Sequence, residues 1–247
     1  MSAERILITG ASSDLAGELI RSLTADGCPG KILAHYHHGS QRMEKFKSEL
    51  GACFSPIEAD LSSQEGVKRL IEQVRSHAEF PTKIVHFAGL KLRLERFHQL
   101  DLDNFETDFQ VQVRAAMEIL KAFLPAMSRA EQRTKIVLVL SSVTLGVPAK
   151  FMSGYTVVKY AELGLLRALA AEYAGTSVNI NAVSPYMVET QFLSEIPEKA
   201  REMAAAAAPE KRLATTAEVV SVIQFLLSSG SDFLDGVNIP VTGGMVF

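Results

Sequence analysis

The chain of 247 residues carries 25 Lys and Arg against 28 Asp and Glu, and its formal net charge of −3 argues against nucleic acid or a membrane surface as a partner. No apolar run reaches transmembrane length and no signal-peptide core follows Met1, so we expect a cytoplasmic protein. The length suits one α/β domain spanning residues 1–247. Cys28 and Cys53 form no C-x-x-C pair, and we expect buried thiols rather than a disulfide.

Seven short runs rich in β-branched residues or leucine alternate with longer segments of helical periodicity. The predicted strands are Arg5–Thr9, Lys31–Tyr36, Cys53–Ala59, Lys83–Phe87, Lys135–Ser141, Ser177–Val183 and Val237–Val241. Strands that are apolar on both faces and separated by helices indicate a parallel sheet covered on each side. The sequence therefore predicts a three-layer α/β fold, a doubly wound Rossmann-type sheet whose ligand lies beyond the carboxyl ends of the strands.

Polar residues and glycines mark the ends of the predicted helices. The expected capping boxes are Ser62-x-x-Glu65 and Thr215-x-x-Glu218, and the expected C-caps are Gly27, Gly51 and Gly175. The apolar face of one long predicted helix consists of Phe105, Phe109, Val113, Leu120 and Phe123. This face packs either within the chain or between subunits.

Tyr155 and Lys159 are four residues apart in a predicted helix, and Ser142 ends an apolar strand upstream of them. Residues four apart share a helix face, so the Lys159 ammonium is expected to favour the phenolate and lower the pKa of Tyr155. The Ser142 hydroxyl can hold a substrate oxygen as its charge changes. This trio suits carbonyl reduction or alcohol oxidation, although Y-x-x-x-K by itself also occurs on solvated helix faces.

A strand, a tight turn of small residues and a helix start occupy residues 6–17, as phosphate binding at a helix N-terminus requires. Gly10 permits the turn. Asp14 stands where glycine is more usual, and it would place a carboxylate near a bound pyrophosphate. An ordinary strand–helix turn is the alternative interpretation.

The order and spacing of these motifs resemble the short-chain dehydrogenase/reductases, in particular the 3-oxoacyl-carrier-protein reductase-like members. The resemblance is carried by Thr9-Gly10-x-x-x-Asp14-Leu15-Ala16, Ala88-Gly89, Ser142, Tyr155-x-x-x-Lys159, Pro185 through Thr190 and Val241-Thr242-Gly243-Gly244. It implies that Tyr155 is the acid–base residue, that Lys159 lowers its pKa and holds the nicotinamide ribose, and that Ser142 binds the substrate oxygen. The expected cofactor contacts are Gly10, Ser12, Ser13, Asp14, Leu15, His37, His38, Asp60, Leu61, Ala88, Gly89, Tyr155, Lys159, Pro185, Val188 and Thr190.

Two further positions depart from the family pattern. Gln112 aligns with an asparagine that holds a water in the family's proton relay, and its amide either serves a shifted relay or only packs within the helix. Tyr186 follows Pro185 where glycine is usual, so its ring either narrows the nicotinamide side of the pocket or points into solvent.

The end of the second predicted strand indicates the cofactor. His37, His38 and Ser40 follow it, without the aspartate that accepts hydrogen bonds from the ribose diol in NAD-selective members. These side chains can donate to a 2′-phosphate, so NADP(H) is favoured over NAD(H). Neither a carboxylate nor a thiol nearby completes a metal site with the histidines, and we expect no metal.

Two segments are expected to decide which small-molecule carbonyl or alcohol is bound. The basic residues Lys91, Arg93, Arg96 and His98 either attract an acidic substrate or an acyl thioester, or belong to an amphipathic loop that packs Leu92, Leu94 and Phe97. Residues 191–212 resemble the family's mobile substrate lid. The resemblance also implies a homodimer or homotetramer.

The function predicted from the sequence is an NADP(H)-dependent oxidoreductase. It would reduce a ketone or 3-oxoacyl carbonyl, or oxidise the matching secondary alcohol, with a proton relay through Gln112. An NAD-linked alcohol dehydrogenase is the alternative within this class. A non-catalytic dinucleotide-binding scaffold is the alternative outside it, and only Asp14, Gln112 and Tyr186 favour it.

Overall fold

The computed structural model describes residues 4–246, and this part of the chain forms one seven-stranded sheet in which every pairing is parallel. The strands are β1 (Glu4–Thr9), β2 (Gly30–Tyr36), β3 (Phe54–Glu58), β4 (Lys83–His86), β5 (Thr134–Val139), β6 (Val178–Pro185) and β7 (Asn238–Val241). Their order is β3-β2-β1-β4-β5-β6-β7. The predicted doubly wound α/β sheet is confirmed. The predicted domain also includes residues 1–3 and 247, which lie outside the described residues.

Helices cover both faces of the sheet. They are α1 (Asp14–Thr24), α2 (Ser40–Leu50), α3 (Gln64–His77), α4 (Leu102–Phe109), α5 (Ala115–Met127), α6 (Ser153–Glu172), α7 (Glu198–Ala207) and α8 (Thr216–Leu227). Residues such as Leu19 and Ile223 pack α1, α2 and α8 on one face, and Leu70 and Phe123 are among those that pack α3, α5 and α6 on the other. No helix within residues 4–246 is both long and apolar enough to cross a membrane. The cytoplasmic location stays a prediction.

The two predicted capping boxes have different outcomes. Thr215 caps α8 as predicted, since its hydroxyl accepts from the Glu218 N–H and the Glu218 carboxylate accepts from the Thr215 N–H. The prediction at Ser62 is wrong by one residue, because Ser63 caps α3. The Ser62 hydroxyl donates instead to Asp60 at 2.7 Å. A carboxylate two residues earlier thus removes Ser62 from the cap.

One of the three predicted C-caps is confirmed. Gly51 is the C-cap of α2. Gly27 and Gly175 lie in the turns beyond α1 and α6, whose C-caps are Ala25 and Tyr173. Those two predictions are wrong because each helix ends before its glycine.

The long helix predicted through Phe105 and Phe123 is interrupted. Residues Gln110–Arg114 form a π-helical turn between α4 and α5. The wider turn buries Gln112, which is 1% exposed, and its carbonyl accepts from His86 at the end of β4. Val113 and Phe123 are buried in this chain, so this part of the face packs within the chain. Such π-turns commonly occur at functional sites.

The expectation of two free thiols is wrong, because Cys28 and Cys53 form a disulfide with a Cα–Cα distance of 5.9 Å. Cys28 precedes β2 and Cys53 precedes β3, and β2 and β3 pair in parallel. Segments that lead into neighbouring parallel strands meet at the same edge of a sheet. The pairing therefore follows from strand order, which cysteine spacing alone does not reveal.

Candidate active site

The predicted glycine turn lies where the strand order reverses, between β1 and its neighbour β4. Gly10 has a φ of +66°, and a Cβ added there would lie 2.8 Å from the Ala88 backbone nitrogen. Glycine is therefore needed both for the left-handed backbone and for the close approach of the segment after β4. A Cβ on Gly89 would contact the Gln112 side chain at 3.2 Å, so this segment is equally close to the π-turn.

The start of α1 fits a phosphate group. Ser13 caps the helix by accepting from the Ala16 N–H at 3.3 Å. Within the described residues, the N–H groups of Ser12, Asp14 and Leu15 have no hydrogen-bond acceptor. Free N–H groups at a helix start, with the positive end of the helix dipole, are the usual donor set for a pyrophosphate.

His35 fastens the glycine turn to β2. Its Nδ1 accepts from the Gly10 N–H at 3.1 Å, and its Nε2 donates to the Ala59 carbonyl at 3.0 Å. Burial lowers the pKa of His35 to about 4. Protonation is also opposed by geometry, because an Nδ1–H would face the Gly10 N–H. His35 lies within β2, whereas His37 and His38 follow the end of that strand.

His86 fastens β4 in the same way. Its Nδ1 accepts from the Thr9 hydroxyl at 2.8 Å, and its Nε2 donates to the Gln112 carbonyl at 3.1 Å. Burial, together with the Lys159 charge, lowers the pKa of His86 to about 3. Sequence reasoning did not identify His86, which is a neutral bridge between β1, β4 and the π-turn.

These two histidines predict a loss of stability in acid. A group whose pKa is lower in the folded state contributes stability above its unfolded pKa, and that contribution is lost as the pH falls through the folded value. We expect the free energy of unfolding to fall from about pH 6.5 towards pH 4, with His35 contributing on the order of 3 kcal/mol. Glu162 has the opposite effect on stability. Burial raises its pKa to about 7, so its contribution to the free energy of unfolding increases as the pH falls below that value. Urea unfolding at several pH values measures the slope.

The matched variants for this test are His35→Gln and His98→Gln. His35→Gln removes one titrating group and should flatten the pH dependence, whereas His98→Gln replaces an exposed histidine outside these buried hydrogen bonds and serves as the control. An unchanged slope in His35→Gln would contradict the assignment.

Tyr155 and Lys159 lie on the first two turns of α6, at the carboxyl edge of the sheet. Lys159 Nζ is 5.8 Å from the Tyr155 ring centroid and donates to the Val139 carbonyl at 2.9 Å. Burial raises the pKa of Tyr155, while Lys159 and Ser141 lower it, and the net direction is upward. The expected influence of Lys159 therefore has the predicted sign but does not outweigh burial.

Ser141, the neighbour of the predicted Ser142, is the serine whose hydroxyl interacts with Tyr155. Ser142 begins a short 3₁₀ helix, Ser142–Thr144, and is partly exposed at the end of β5. The buried Ser141 hydroxyl is within hydrogen-bonding reach of Tyr155 and lowers its pKa. Sequence reasoning named Ser142 alone, and the Ser141-Ser142 pair was the available signal for the second hydroxyl.

Gln112 is hydrogen-bonded to Asp108, whose charge acts on Lys159 and Tyr155. The Gln112 amide donates to Asp108 at 2.5 Å, and Asp108 also accepts from the Leu90 N–H at 3.4 Å. Burial raises the pKa of Asp108, against the lowering influence of Lys159. Asp108 was not identified from the sequence, since a lone aspartate in a predicted helix has no distinguishing pattern.

Asp14 is already neutralised within the chain. One carboxylate oxygen accepts from Arg42 at 2.8 Å and the other from the Gln191 N–H at 2.8 Å. Arg42 also donates to the Ser12 carbonyl at 2.7 Å. These hydrogen bonds lower the pKa of Asp14 although burial raises it. The residue therefore connects the glycine turn, α2 and the start of the predicted lid, and it presents no isolated charge to a pyrophosphate.

The remaining adenosine-side residues lie after β2 and β3. His37 and His38 stack with ring centroids 4.0 Å apart, and His37 Nδ1 is 3.7 Å from an Asp60 carboxylate oxygen. Leu61 is buried in the core. Hydrogen bonds from Ser62 lower the pKa of Asp60 against burial. No group of three or more metal-ligating side chains occurs among the described residues.

The predicted nicotinamide-side residues follow β6. Pro185 ends that strand, the buried Val188 pairs with Ala214 in an isolated bridge, and the Thr190 hydroxyl donates to the Val188 carbonyl at 3.2 Å. Tyr186 is partly buried, and burial raises its pKa.

The basic loop after β4 is attached to the predicted lid. Lys91 and Arg93 lie 3.9 and 3.7 Å from Glu195, and Leu92 is buried with lid side chains. In contrast, 39% of Leu94 and 78% of Phe97 are exposed. Of the three apolar residues in the amphipathic alternative, only Leu92 is buried. Glu195 partly compensates the positive charges of Lys91 and Arg93 next to the cleft.

A cleft leads from this loop to the Tyr155 side chain. Its lining includes Lys91, Arg93, Asp108, Phe151 and Tyr155. A larger open cleft lies between α7 and residues 211–216, but its lining does not include Tyr155 or Lys159. Because Tyr155 lines the first cleft, that cleft is the candidate substrate site.

A reversal of strand order, a glycine turn at the start of α1 and a Tyr–Lys pair at the carboxyl edge together define a Rossmann-type, dinucleotide-dependent oxidoreductase. The pattern of the family described as enoyl-(acyl carrier protein) reductase matches residues 10–246. The chain belongs to the short-chain dehydrogenase/reductase family, whose members act on CH–OH or C=O groups with NAD(P).

Curated relatives match over nearly the whole chain. The 3-oxoacyl-(acyl-carrier-protein) reductase FabG of Pseudomonas aeruginosa is 27% identical over 239 residues, covering 97% of this chain and 96% of its own. Nodulation protein G of a Rhizobium species is 26% identical and covers 99% and 98%. A short-chain dehydrogenase/reductase from Brucella melitensis has the same fold, with a TM-score of 0.87, 23% identity and coverage of 99% and 97%.

Proposed function

We propose that this protein is an NADP(H)-dependent reductase of a ketone or 3-oxoacyl carbonyl, able to oxidise the matching secondary alcohol. The observation that carries the proposal is that Tyr155 lines the cleft, with Lys159 Nζ 5.8 Å from its ring centroid and the Ser141 hydroxyl acting on its phenol. A bound nicotinamide supplies or accepts the hydride. The residues described above supply the proton and hold the substrate oxygen.

Each polar residue has a distinct part in the proposed reaction. Tyr155, protonated because burial raises its pKa, donates its proton to the carbonyl oxygen as negative charge develops there. The Ser142 hydroxyl donates to the same oxygen, and Lys159 stabilises the phenolate that remains. Gln112 orients Asp108 beside this group, which supports a shifted proton relay at this end of the site.

The proposed preference for NADP(H) is supported by charge on the adenosine side. His37 and His38 lie in the connection from β2 to α2, and this connection contains no carboxylate residue. Arg42, which sequence reasoning missed, lies on the first turn of α2 and reaches the Ser12 carbonyl of the glycine turn. A guanidinium at this position is well suited to a 2′-phosphate.

Titration of the protein with NADPH and NADH, followed by nicotinamide fluorescence, tests the preference. We expect NADPH to bind more tightly. Arg42→Gln should weaken NADPH about tenfold more than NADH, because the bond to the 2′-phosphate is lost for NADPH alone, whereas the loss of the Asp14 partner affects both cofactors. Lys45→Gln, an exposed change on the same helix, should alter neither. Equal or tighter NADH binding would favour the NAD-linked dehydrogenase. Oxidation of NADPH by a 3-oxoacyl thioester tests the reaction itself.

The proposed substrate class is supported by the relatives. Several curated relatives are named 3-oxoacyl-(acyl-carrier-protein) reductases, whereas the description of the matching family names an enoyl reductase. Because Tyr155 is the proposed proton donor to a substrate oxygen, carbonyl reduction is the reaction we propose. Lys91 and Arg93 at the cleft entrance suit a phosphate-bearing thioester arm.

Self-association as a homodimer or homotetramer is part of the proposal. Met117 on α5 and Val157 and Tyr160 on α6 are each roughly half-exposed. Apolar side chains on adjacent helix surfaces are typical of subunit interfaces.

A further inference from the structure

One buried carboxylate on α6 has no part in the proposed reaction. Glu162 lies three residues after Lys159 and is only 1% exposed. The next residues on this helix, Leu163 and Leu166, belong to the apolar core. Removing a carboxylate from water is costly, and an apolar side chain of similar volume usually packs without loss of stability. A glutamate here indicates an interaction that uses its charge.

That interaction is with Lys159. Lys159 Nζ lies 2.8 Å from Glu162 Oε2 and donates to the Val139 carbonyl at 2.9 Å. At this distance the contact is an ion pair between two buried charges. The ammonium is therefore held between a strand carbonyl and a carboxylate, with Tyr155 one helical turn away.

The charges that act on Tyr155 come from two helices. Lys159 favours its phenolate, whereas Glu162 on the same helix and Asp108 on α4 oppose it. His86 on β4 faces Lys159 but is neutral, because burial lowers its pKa to about 3. Burial raises the pKa of Glu162 to about 7, so Glu162 is charged in the alkaline range in which a tyrosine titrates. The field of the ammonium at the phenol is thus partly cancelled.

We propose that Glu162 is a positioning residue that holds the Lys159 ammonium at Val139 and limits how strongly Lys159 stabilises the Tyr155 phenolate. Tyr155 then keeps its proton to higher pH, which suits a proton donor in carbonyl reduction. The effect on turnover rests on the proposed function. The electrostatic coupling itself does not, since all of its members belong to the protein.

The test is the ultraviolet titration of tyrosinate in Glu162→Gln, without cofactor or substrate. Subtracting the same titration of a Tyr155→Phe partner in each background isolates Tyr155. The glutamine keeps the size and an acceptor oxygen but removes the charge, so Tyr155 should titrate about one pH unit lower than in the wild type. An unchanged Tyr155 titration would show a structural role only. A shift to higher pH would show that Lys159 loses its own charge without Glu162. Either result would overturn the proposal.

Two further variants complete the experiment. Glu172→Gln changes an exposed carboxylate on the same helix and should leave the titration as in the wild type. If Glu162→Gln does not fold, Glu162→Asp keeps the charge on a shorter arm. It should move the Tyr155 titration in the same direction by a smaller amount, and a wild-type titration in that variant would overturn the proposal.

The pH profile of alcohol oxidation adds the functional readout. In Glu162→Gln the rise of kcat/KM with pH should shift to lower pH together with the tyrosinate titration. A shifted titration in a protein that turns over no alcohol or carbonyl would contradict the proposed function and leave the Glu162 coupling intact. If Glu162→Gln remains active and its Tyr155 titration equals that of the wild type, the Glu162 coupling is contradicted and the proposed function is kept.

Discussion

Tyr155→Phe should lower kcat by about a thousandfold and leave the Kd for the nicotinamide cofactor nearly unchanged. The substitution removes one hydroxyl, which is the proposed proton donor, and keeps the ring that contacts Phe192 with centroids 6.1 Å apart. Steady-state turnover with a 3-oxoacyl thioester gives the first quantity, and fluorescence titration with NADPH gives the second.

A matched control for this variant is Tyr160→Phe on the same helix, which also removes one hydroxyl and keeps the ring that the proposed subunit interface uses. Its activity should equal that of the wild type. Phenylalanine has no hydroxyl proton to donate. More than a few per cent of wild-type activity remaining in Tyr155→Phe would therefore exclude Tyr155 as the proton donor.

Ser142→Ala should reduce kcat/KM by about a hundredfold, since it removes the proposed donor to the oxygen on which charge develops. Ser141→Ala should have a smaller effect on the rate and should raise the pKa seen in the pH profile, because the Ser141 hydroxyl lowers the pKa of Tyr155. Rate measurements over a pH series distinguish the two roles.

The adjacent serines control for each other. If Ser141→Ala has the larger loss at every pH and Ser142→Ala has none, the substrate oxygen is held by Ser141 and the assignment of Ser142 is wrong. Both hydroxyls are close to the same strand end, so position in the chain alone does not decide between them.

Buried polar groups are concentrated at this site. Lys159, Glu162, Gln112 and His86 are all nearly inaccessible to solvent. Buried charges are expensive unless they are paired, and each of these side chains has a partner that the others help to position. The local cost is consistent with a site organised for proton transfer rather than for stability.

The sequence by itself determined the fold class, the seven strands and the Tyr155–Lys159 pair. These are local features, because strand periodicity and an i, i+4 spacing depend on residues close together in the chain. The glycine turn was equally readable, since Gly10 is required by a backbone conformation. Family membership follows the same motifs, and the comparisons confirm it.

Only the tertiary structure decided the contacts between distant residues. The Cys28–Cys53 disulfide depends on which strands are neighbours, and the link from Asp14 to Gln191 joins residues 177 positions apart. The π-turn at Gln112 replaced part of a helix that periodicity predicted as continuous. Glu162 lay one turn from Lys159 in the sequence, but its burial, and hence the strength of its charge, depends on the helices and strands packed around it. Local pattern specifies which elements form, and packing decides which side chains lose water and meet.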